Sequence, residues 1–338
     1  MLTQGKVVLF YPAYDGPPLG APLCLLALAA SLREANFDVV MIDAAIEFSS
    51  FTKKYRHFTL DQINLNLPTG CIMGFIGANG AGKSTTLRIL MGLVHQDAGS
   101  VKVLGHAMPE EQATAKRDIG FVSEDMRLYG AATLEWHMGF VRSIYSHWDS
   151  GYADQLLRRF DLRAQQKIKG MSHGQRVKAA LLLALARKPR LLVLDEPTTG
   201  LDPIARREVL GELMAVLADE ERTVLFSSHN TLDVEQISDQ ITFIDRGRIL
   251  DSSDKETFLD RWRRLRLVLP PNTKLPGLPG VVNVDGSGRL PVVTTNRFEP
   301  AMVSACTQAG VAVQAVDVMT LEEIFVASVQ SQREGQAI

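Results

Sequence analysis

Nine consecutive residues, Gly77-Ala78-Asn79-Gly80-Ala81-Gly82-Lys83-Ser84-Thr85, constrain the fold of this 338-residue chain more than any other feature. They join an apolar run, Ile72–Ile76, to a helical run, Lys83–Gly92. The glycines let the backbone curl until successive N–H groups point inward as an anion nest, and the helix that follows adds its positive end. Lys83 is then placed to reach terminal phosphates, and Ser84 offers a hydroxyl to Mg²⁺. The pattern carries this meaning only between a strand and a helix, and here it has that context.

Further apolar runs at Ile119–Val122, Leu191–Leu194, Val224–Phe226 and Ile241–Ile244 are separated by helical patterns. Their hydrophobicity is continuous rather than alternating, which predicts a parallel sheet covered on both faces. In such a sheet ligands bind at the carboxyl edge of the strands. Asp195 and Glu196 end one strand there. Asp195 is suited to hold Mg²⁺, and Glu196 to orient and partly deprotonate a water attacking a γ-phosphate; a solvated strand end is the plainer alternative. Met171-Ser172-His173-Gly174-Gln175-Arg176 precedes an apolar helix, Val177–Ala186, that stops near Pro189. Ser172 is a good N-cap, and a phosphate could use the same N–H groups, so the two readings do not exclude each other. His229 follows Ser227-Ser228 beyond a strand, where it is either structural or a contact to the γ-phosphate.

Organisation and charge narrow the possibilities. With 36 Lys+Arg against 38 Asp+Glu the net charge is −2, which gives no general electrostatic reason to bind nucleic acid or acidic lipid. Hydrophobic residues at 46% and charged residues at 22% exclude disorder for most of the chain. Cys24, Cys71 and Cys306 lack paired spacing, so they read as buried small apolar residues rather than a disulfide or zinc framework. The longest apolar run, Leu19–Leu32, is shorter than the about 20 residues a bilayer span needs, and Asp15, Pro17 and Pro18 argue against an export signal. The opening reads as one βαβ unit: Val7–Phe10, a helix from about Pro22 to Ala35, and Val39–Ile42. From Phe51 a turn-rich stretch leads to the phosphate loop. Trp136, Phe140, Ile144, Leu156, Leu157 and Phe160 recur at helical spacings, marking a helical insert over 123–170. After Lys255 come a basic stretch, Arg261–Arg266, a Pro/Gly-rich segment near Pro270–Pro279, short strands, a helix near Glu299–Ala309, strand Val311–Val318 and a final helix. These form a small α+β unit.

The loop, the six-residue signature, the Asp-Glu strand end and the late histidine, in this order across roughly 51–255, resemble the nucleotide-binding domain of ABC transporters, an α/β P-loop NTPase fold. The resemblance implies an aromatic, Tyr55, that stacks on adenine. It makes the loop the Walker A element, with Gly77, Asn79, Gly80, Ala81, Gly82, Lys83, Ser84 and Thr85 around the phosphates of ATP. Asp195 and Glu196 end Walker B, Gly200-Leu201-Asp202 is the D-loop, and His229 is the switch histidine. Ser172, Gly174 and Gln175 belong to the signature that meets the opposing subunit's nucleotide. Catalysis is thereby expected of Glu196, His229 and Lys83, and Mg²⁺ ligation of Ser84, Asp195 and Glu124. Two departures stand out: His173 replaces a signature glycine, and Glu124 stands in the Q-loop position, a variant similar to that of ABC-2-type exporters. Met319-Thr320-Leu321-Glu322-Glu323-Ile324-Phe325 resembles the tail motif of the ATPases that serve those exporters.

Residues 1–49 are similar instead to the start of the cobalamin-binding domain ahead of some radical SAM enzymes. No metal-ligating histidine motif follows and no Cys-x3-Cys-x2-Cys cluster exists, so a fused remnant or docking appendage is the expectation, dispensable for ATPase activity. The expected units are thus 1–49, a nucleotide-binding domain over 50–255 with its helical subdomain at about 123–170, and a C-terminal α+β unit over 256–338. The resemblance implies an ATP-hydrolysing subunit that pairs head to tail with its own copy, sits peripherally on the cytoplasmic face of the membrane and powers a separate permease. A soluble ABC ATPase acting on nucleic acid or ribosomes is the rival, but such proteins generally need two units in one chain or a long coiled coil. No nucleic-acid partner is expected. A cofactor-binding module carrying an inactive ATPase is disfavoured by intact Lys83, Asp195 and Glu196.

Overall fold

The computed structural model describes residues 6–11, 38–216, 222–271, 273–286 and 288–335; the helix expected near 22–35, and Cys24 within it, lie outside them. A six-stranded sheet forms the centre, in the order Arg248–Asp254, Gln240–Asp245, Ile72–Ile76, Thr223–Ser228, Leu191–Asp195, Ile119–Ser123. Five of these strands are mutually parallel, and only the edge strand Arg248–Asp254 runs against its neighbour. Every residue of Ile72–Ile76, Leu191–Asp195 and Thr223–Ser228 is buried. Cover on both faces, by helices on one and by the helix Lys83–Leu90 and a second sheet on the other, explains why these strands carry unbroken apolar runs.

Register decides where these strands end. Ile76 lies opposite Ser228, Asp195 opposite Ser227, and Ser123 opposite Asp195. Four strands therefore end level with one another, so the segments leaving them start from one edge.

A second, largely antiparallel sheet packs beside the first, and the stretch read as turn-rich from Phe51 belongs to it. Strand Asp38–Lys54 pairs with Thr59–Pro68 and with Ala98–Val103, which continues to His106–Met108. Register shifts at Ala44/Ile46, Phe48/Phe51 and Phe51/Lys53 interrupt the pairing. Each bulge resets the two-residue alternation, which is why no strand period survives in the sequence. Strand Lys6–Tyr11 pairs in parallel with the beginning of the same long strand, as a βαβ unit requires. That strand then runs on without a break, so the boundary expected at 49/50 falls inside it.

The helical insert comprises Leu134–Ile144, Ser150–Arg159 and a 3-10 turn at Ile168–Gly170. Thr133 and Asp149 cap the two helices by accepting from Trp136 N and Tyr152 N. The apolar positions predicted there divide between two environments. Leu156 and Phe160 are buried beside the helix His173–Leu185, whereas Trp136, Phe140 and Ile144 are 51%, 52% and 57% exposed.

Toward the C-terminus, four antiparallel strands run in the order Val281–Asp285, Val292–Thr295, Arg263–Val268, Ala312–Val318. With helix Ala301–Gln308 they enclose a small core of Leu265, Leu267, Leu269, Val293, Cys306 and Val311. The final helix, Leu321–Gly335, leaves that core: Leu321, Ile324 and Ala327 join the central cluster with Phe243, Phe258 and Trp262. Phe325 meets Phe243 edge to face at 5.1 Å. The last helix thus belongs by packing to the nucleotide sheet and not to the unit that precedes it. Of the described cysteines, Cys306 is buried as expected and Cys71 is only half-buried; burial pushes both thiols up.

Ile46 and Phe48 are 0% and 4% exposed within the core under the second sheet. Removing residues 1–49 takes both away, along with most of the strand that pairs Thr59–Pro68. Losing two buried side chains of this size costs on the order of 5 kcal/mol or more. The truncated chain is expected to be insoluble or to unfold at a much lower temperature than the full chain; a soluble truncation with an unchanged melting midpoint would show that the long strand contributes little.

Candidate functional site

The phosphate loop is held from behind by the central sheet. A Cβ on Gly77 would lie 2.6 Å from the carbonyl oxygen of Ile244, so only glycine fits there. Gly82 has φ +115°, and a Cβ on it would meet Leu60 Cδ2 at 2.6 Å. Gly82 is also the N-cap of helix Lys83–Leu90 and brings no side-chain cap to it. The first-turn N–H groups are left for an anion, which is the cradle that the motif requires. Ala81 N donates to Ala78 O at 3.1 Å, and Gly247 N, from the edge hairpin, donates to Ala81 O at 2.9 Å. Ala78, Asn79 and Gly80 are exposed at the tip, and Ser84 and Thr85 are half-buried.

Lys83 lies beneath this loop with 5% exposure. Its Nζ donates to Gly77 O at 2.7 Å and pairs with Glu196 Oε1 at 3.1 Å. Glu196 Oε2 accepts from His229 Nδ1 at 2.7 Å, from His229 N at 3.3 Å and from Thr199 Oγ1 at 3.0 Å. Glu196 has φ +53°, a left-handed backbone that non-glycine residues rarely adopt. It is over-determined by its neighbour: Glu196 N donates to Ser227 Oγ at 3.0 Å and Ser227 O at 3.3 Å. Burial alone pushes the Glu196 carboxyl up, but the Lys83 ammonium and the His229 bond outweigh it and hold the group below the ordinary carboxylate range. At neutral pH this carboxylate is charged, with donors aimed at Oε2 and the Lys83 ammonium paired with Oε1.

Asp195 is buried, and its Oδ1 accepts from Ser227 Oγ at 2.6 Å. Glu124 is exposed, and its backbone N–H donates to Asp195 O at 3.2 Å, which brings the two acidic residues side by side. Among the described residues no group of three or more His, Cys, Asp or Glu side chains could enclose a metal ion. A few hard oxygen donors at the foot of a phosphate cradle nonetheless suit Mg²⁺, which keeps waters and phosphate oxygens in much of its coordination shell. The residues present therefore fit that ion.

The other expected residues lie apart from this cluster. Ser172 and Gln175 form a reciprocal capping box on helix His173–Leu185: Gln175 N donates to Ser172 Oγ at 3.2 Å and Ser172 N to Gln175 Oε1 at 3.0 Å. Gln175 is thus engaged within its own helix. Asp202 caps helix Pro203–Val216, its Oδ1 accepting from Ile204 N at 2.9 Å and Ala205 N at 3.0 Å, and the Ala205 bond leads the causes that lower its carboxyl. Tyr55 is 45% exposed, with Lys53 Nζ 5.7 Å from its ring centre. Among the described residues, no hydrogen bond or ion pair joins Ser172, Gly174 or Tyr55 to the Lys83–Glu196 cluster. Sequence reasoning passed over Ser227 and Thr199, which fix Asp195 and Glu196. The serine pair before His229 was the available signal for the first; nothing local marked the second.

Comparison with known proteins agrees with the geometry. A family model described as ABC transporter matches residues 60–199. The daunorubicin resistance ATP-binding protein DrrA3 of Streptomyces coeruleorubidus is 32% identical over 307 residues, covering 84% of this chain and 96% of the relative. The linearmycin resistance ATP-binding protein LnrL of Bacillus subtilis (strain 168) is 35% identical over 222 residues, covering 64% of this chain and 71% of the relative. A solved ATP-binding subunit of an ABC transporter superposes with TM-score 0.59 at 25% identity, over 64% of this chain and 92% of that one. These matches give no support to the likeness of residues 1–49 to a cobalamin-binding domain. Similarity that runs along nearly the whole of a relative, and not only along its phosphate loop, marks a shared subunit: this chain belongs to the ABC transporter ATP-binding proteins, the ATP-hydrolysing subunits of such transporters.

Proposed function

We propose that the chain closes head to tail on a second copy, with each ATP between the phosphate loop of one protomer and the Ser172–Gly174 segment of the other, and that closure drives export through a separate ABC-2-type permease. The observation that carries this reading is the ionised Glu196 held between Lys83 at 3.1 Å and His229 at 2.7 Å at the foot of the loop. Terminal phosphate oxygens compete with Glu196 for the Lys83 ammonium. When they take it, Glu196 Oε1 loses its partner and becomes free to accept a proton from the attacking water. His229 keeps Oε2 engaged meanwhile, which orients the carboxylate, and its other ring nitrogen is available to the γ-phosphate. Backbone N–H groups of Asn79, Gly80, Ala81, Gly82 and Thr85 surround the phosphates, and the exposed ring of Tyr55 stacks on adenine. Ser84, Asp195 and Glu124 would hold Mg²⁺, which supplies neutralisation of charge on the phosphate oxygens.

ATP favours the closed pair because its γ-phosphate adds contacts across the interface that ADP lacks, and a ligand shifts an equilibrium only through such a difference. Ser172 and Gly174 lie at the open end of their helix, exposed and half-buried, as a lid over a partner's nucleotide requires. The helical insert is the surface for the permease. Trp136 and Phe140 stack there at 5.4 Å between ring centres with both rings more than half exposed, and Tyr129 beside them is 74% exposed. Exposed apolar groups in a cluster mark an interaction site. No helix among the described residues is long and apolar enough to cross a membrane. The reading gives the translocation path to the partner and seats the chain against it at the cytoplasmic membrane surface, as family membership as a transporter's ATP-binding subunit supports. Export is the direction supported by relatives named for daunorubicin and linearmycin resistance.

Co-purification from detergent-solubilised membranes tests the assignment: a membrane-spanning partner should be retained by the wild-type chain and lost with Trp136→Ser/Phe140→Ser. Retention of nothing by the wild type would contradict the transport role. Glu196→Gln removes the proton acceptor while leaving the cradle intact, so turnover should fall by at least about a hundredfold and ATP should trap a dimer visible by size-exclusion chromatography. Normal hydrolysis in that variant would take Glu196 out of the mechanism. Lys83→Ala should weaken ATP affinity by roughly ten- to a hundredfold, as expected for losing a charged hydrogen bond to phosphate, and calorimetry showing unchanged affinity would contradict its role.

A further inference from the structure

The hairpin between Gln240–Asp245 and Arg248–Asp254 turns on two residues, Arg246 and Gly247, both at positive φ, +45° and +77°. That is the geometry of a type I′ turn, whose first position is ordinarily Asn, Asp or Gly. Arginine stands there against the preference of the backbone, and such outliers gather where a side chain has a function. Gly247 is fixed by its surroundings, since a Cβ on it would overlap the carbonyl oxygen of Thr59. The turn is tied to the phosphate loop as well: Gly247 N donates to Ala81 O at 2.9 Å, and Ile244 O leaves no room for a Cβ on Gly77.

Arg246 lines a cavity of about 210 Å³ with Asp245, Arg248, Gln332 and Arg333, the last two from the end of the final helix. Arg248 and Gln332 also border an adjoining cavity that includes Asp61. Three guanidinium groups thus face two carboxylates, leaving one positive charge over. Their donors are nearly unspent. Among the described residues, Arg248 Nη2 donates to Asp61 Oδ2 at 2.7 Å, Arg333 Nη2 stands 3.7 Å from Oδ2 of the buried Asp245, and Arg246 has no hydrogen bond or ion pair. Two of the arginines therefore have a carboxylate to hold them in place, while most of the N–H groups remain for an acceptor outside the protein. Guanidinium forks match the oxygens of a phosphate, which accept several charge-assisted hydrogen bonds at once. The smaller cavity has the volume of about seven waters at roughly 30 Å³ each, which is room for a phosphate group and not for a nucleotide.

We propose that Arg246, Arg248 and Arg333 form a second phosphate site at the hairpin that supports the phosphate loop, taking inorganic phosphate or the phosphomonoester headgroup of a lipid. The bound anion bridges the turn to the final helix. The turn, steadied in this way, steadies the loop through Gly247 and Ile244, so that an occupied site tightens ATP binding. The inference needs only the loop's binding of ATP and not the head-to-tail pairing.

Calorimetry on the full chain, with the phosphate loop filled by Mg²⁺ and a non-hydrolysable ATP analogue, tests the site with inorganic phosphate as the probe. Phosphate should bind the filled protein and should tighten the analogue in turn, since coupling between two ligands is reciprocal. Phosphate acting on the loop itself would compete, and a weakened analogue would overturn the site. Arg246→Asn suits the turn better than arginine, so its melting midpoint should equal or exceed that of the wild type while phosphate affinity falls at least about tenfold. Arg333→Ala should lose phosphate by a similar factor, and the affinity of both variants for the analogue without phosphate should be unchanged. No phosphate binding by the filled wild type, or equal binding by the variants, removes the site. Potassium chloride at matched ionic strength that reproduces the tightening also removes it, because the effect is then bulk screening. Vesicles of phosphatidylcholine with and without phosphatidic acid separate the two sources. Capture by phosphatidic acid that Arg246→Asn abolishes assigns a lipid headgroup, whereas phosphate binding without capture assigns the free ion.

Discussion

The level carboxyl ends of four parallel strands are the constraint on which the candidate site depends. Ile76 pairs with Ser228, Ser227 with Asp195 and Asp195 with Ser123, so the four strands end within one residue of each other and the segments that leave them are delivered to one edge. A single-residue slip of any one strand would turn its side chains to the other face and dismantle the constellation. Continuous burial prevents such slips, because each strand packs apolar side chains against helices on one face and against the helix Lys83–Leu90 and the antiparallel sheet on the other. The hydrophobic effect that builds the sheet thereby also sets the positions of charges that contribute nothing to the core.

Electrostatics then does what packing alone cannot. Lys83 and Glu196 are both nearly buried, and an isolated charge of either sign would be costly there. Each makes the other tolerable, and His229, Thr199 and Ser227 satisfy what remains. The pair is poised and not inert, because phosphate oxygens compete for the same ammonium. The strained backbone of Glu196 fits this picture: conformations with φ near +53° persist where surrounding bonds over-determine them, and such places cluster at functional sites.

The outer parts of the molecule are less independent than a division into three successive units suggests. Strand Asp38–Lys54 joins the N-terminal piece to the antiparallel sheet without interruption. At the other end, Phe325 and Ile324 carry the last helix back onto the nucleotide sheet, past the small sheet that precedes it. The expected tail motif is accordingly a packing element: Leu321 and Ile324 are fully buried against the central core. The N-terminal piece, read as a dispensable appendage, supplies a strand to the fold it precedes.

What the sequence by itself determined is whatever is encoded within a short window. The glycine loop, the five apolar parallel strands, the Asp195-Glu196 strand end and the Ser172 cap were all legible, because backbone permissiveness, continuous hydrophobicity and capping chemistry act over fewer than about ten residues. The bulged antiparallel sheet was not, since each register shift erases the alternation that would have announced it. The division of the insert into a buried and an exposed face was not either, because helical spacing predicts a stripe without saying what covers it. Only the tertiary structure decided that Ser227 steadies Asp195, that Thr199 and His229 share an oxygen of Glu196, and that His173 reaches the D-loop. Those contacts join residues distant along the chain, and their geometry exists only after the sheet has brought the strand ends together.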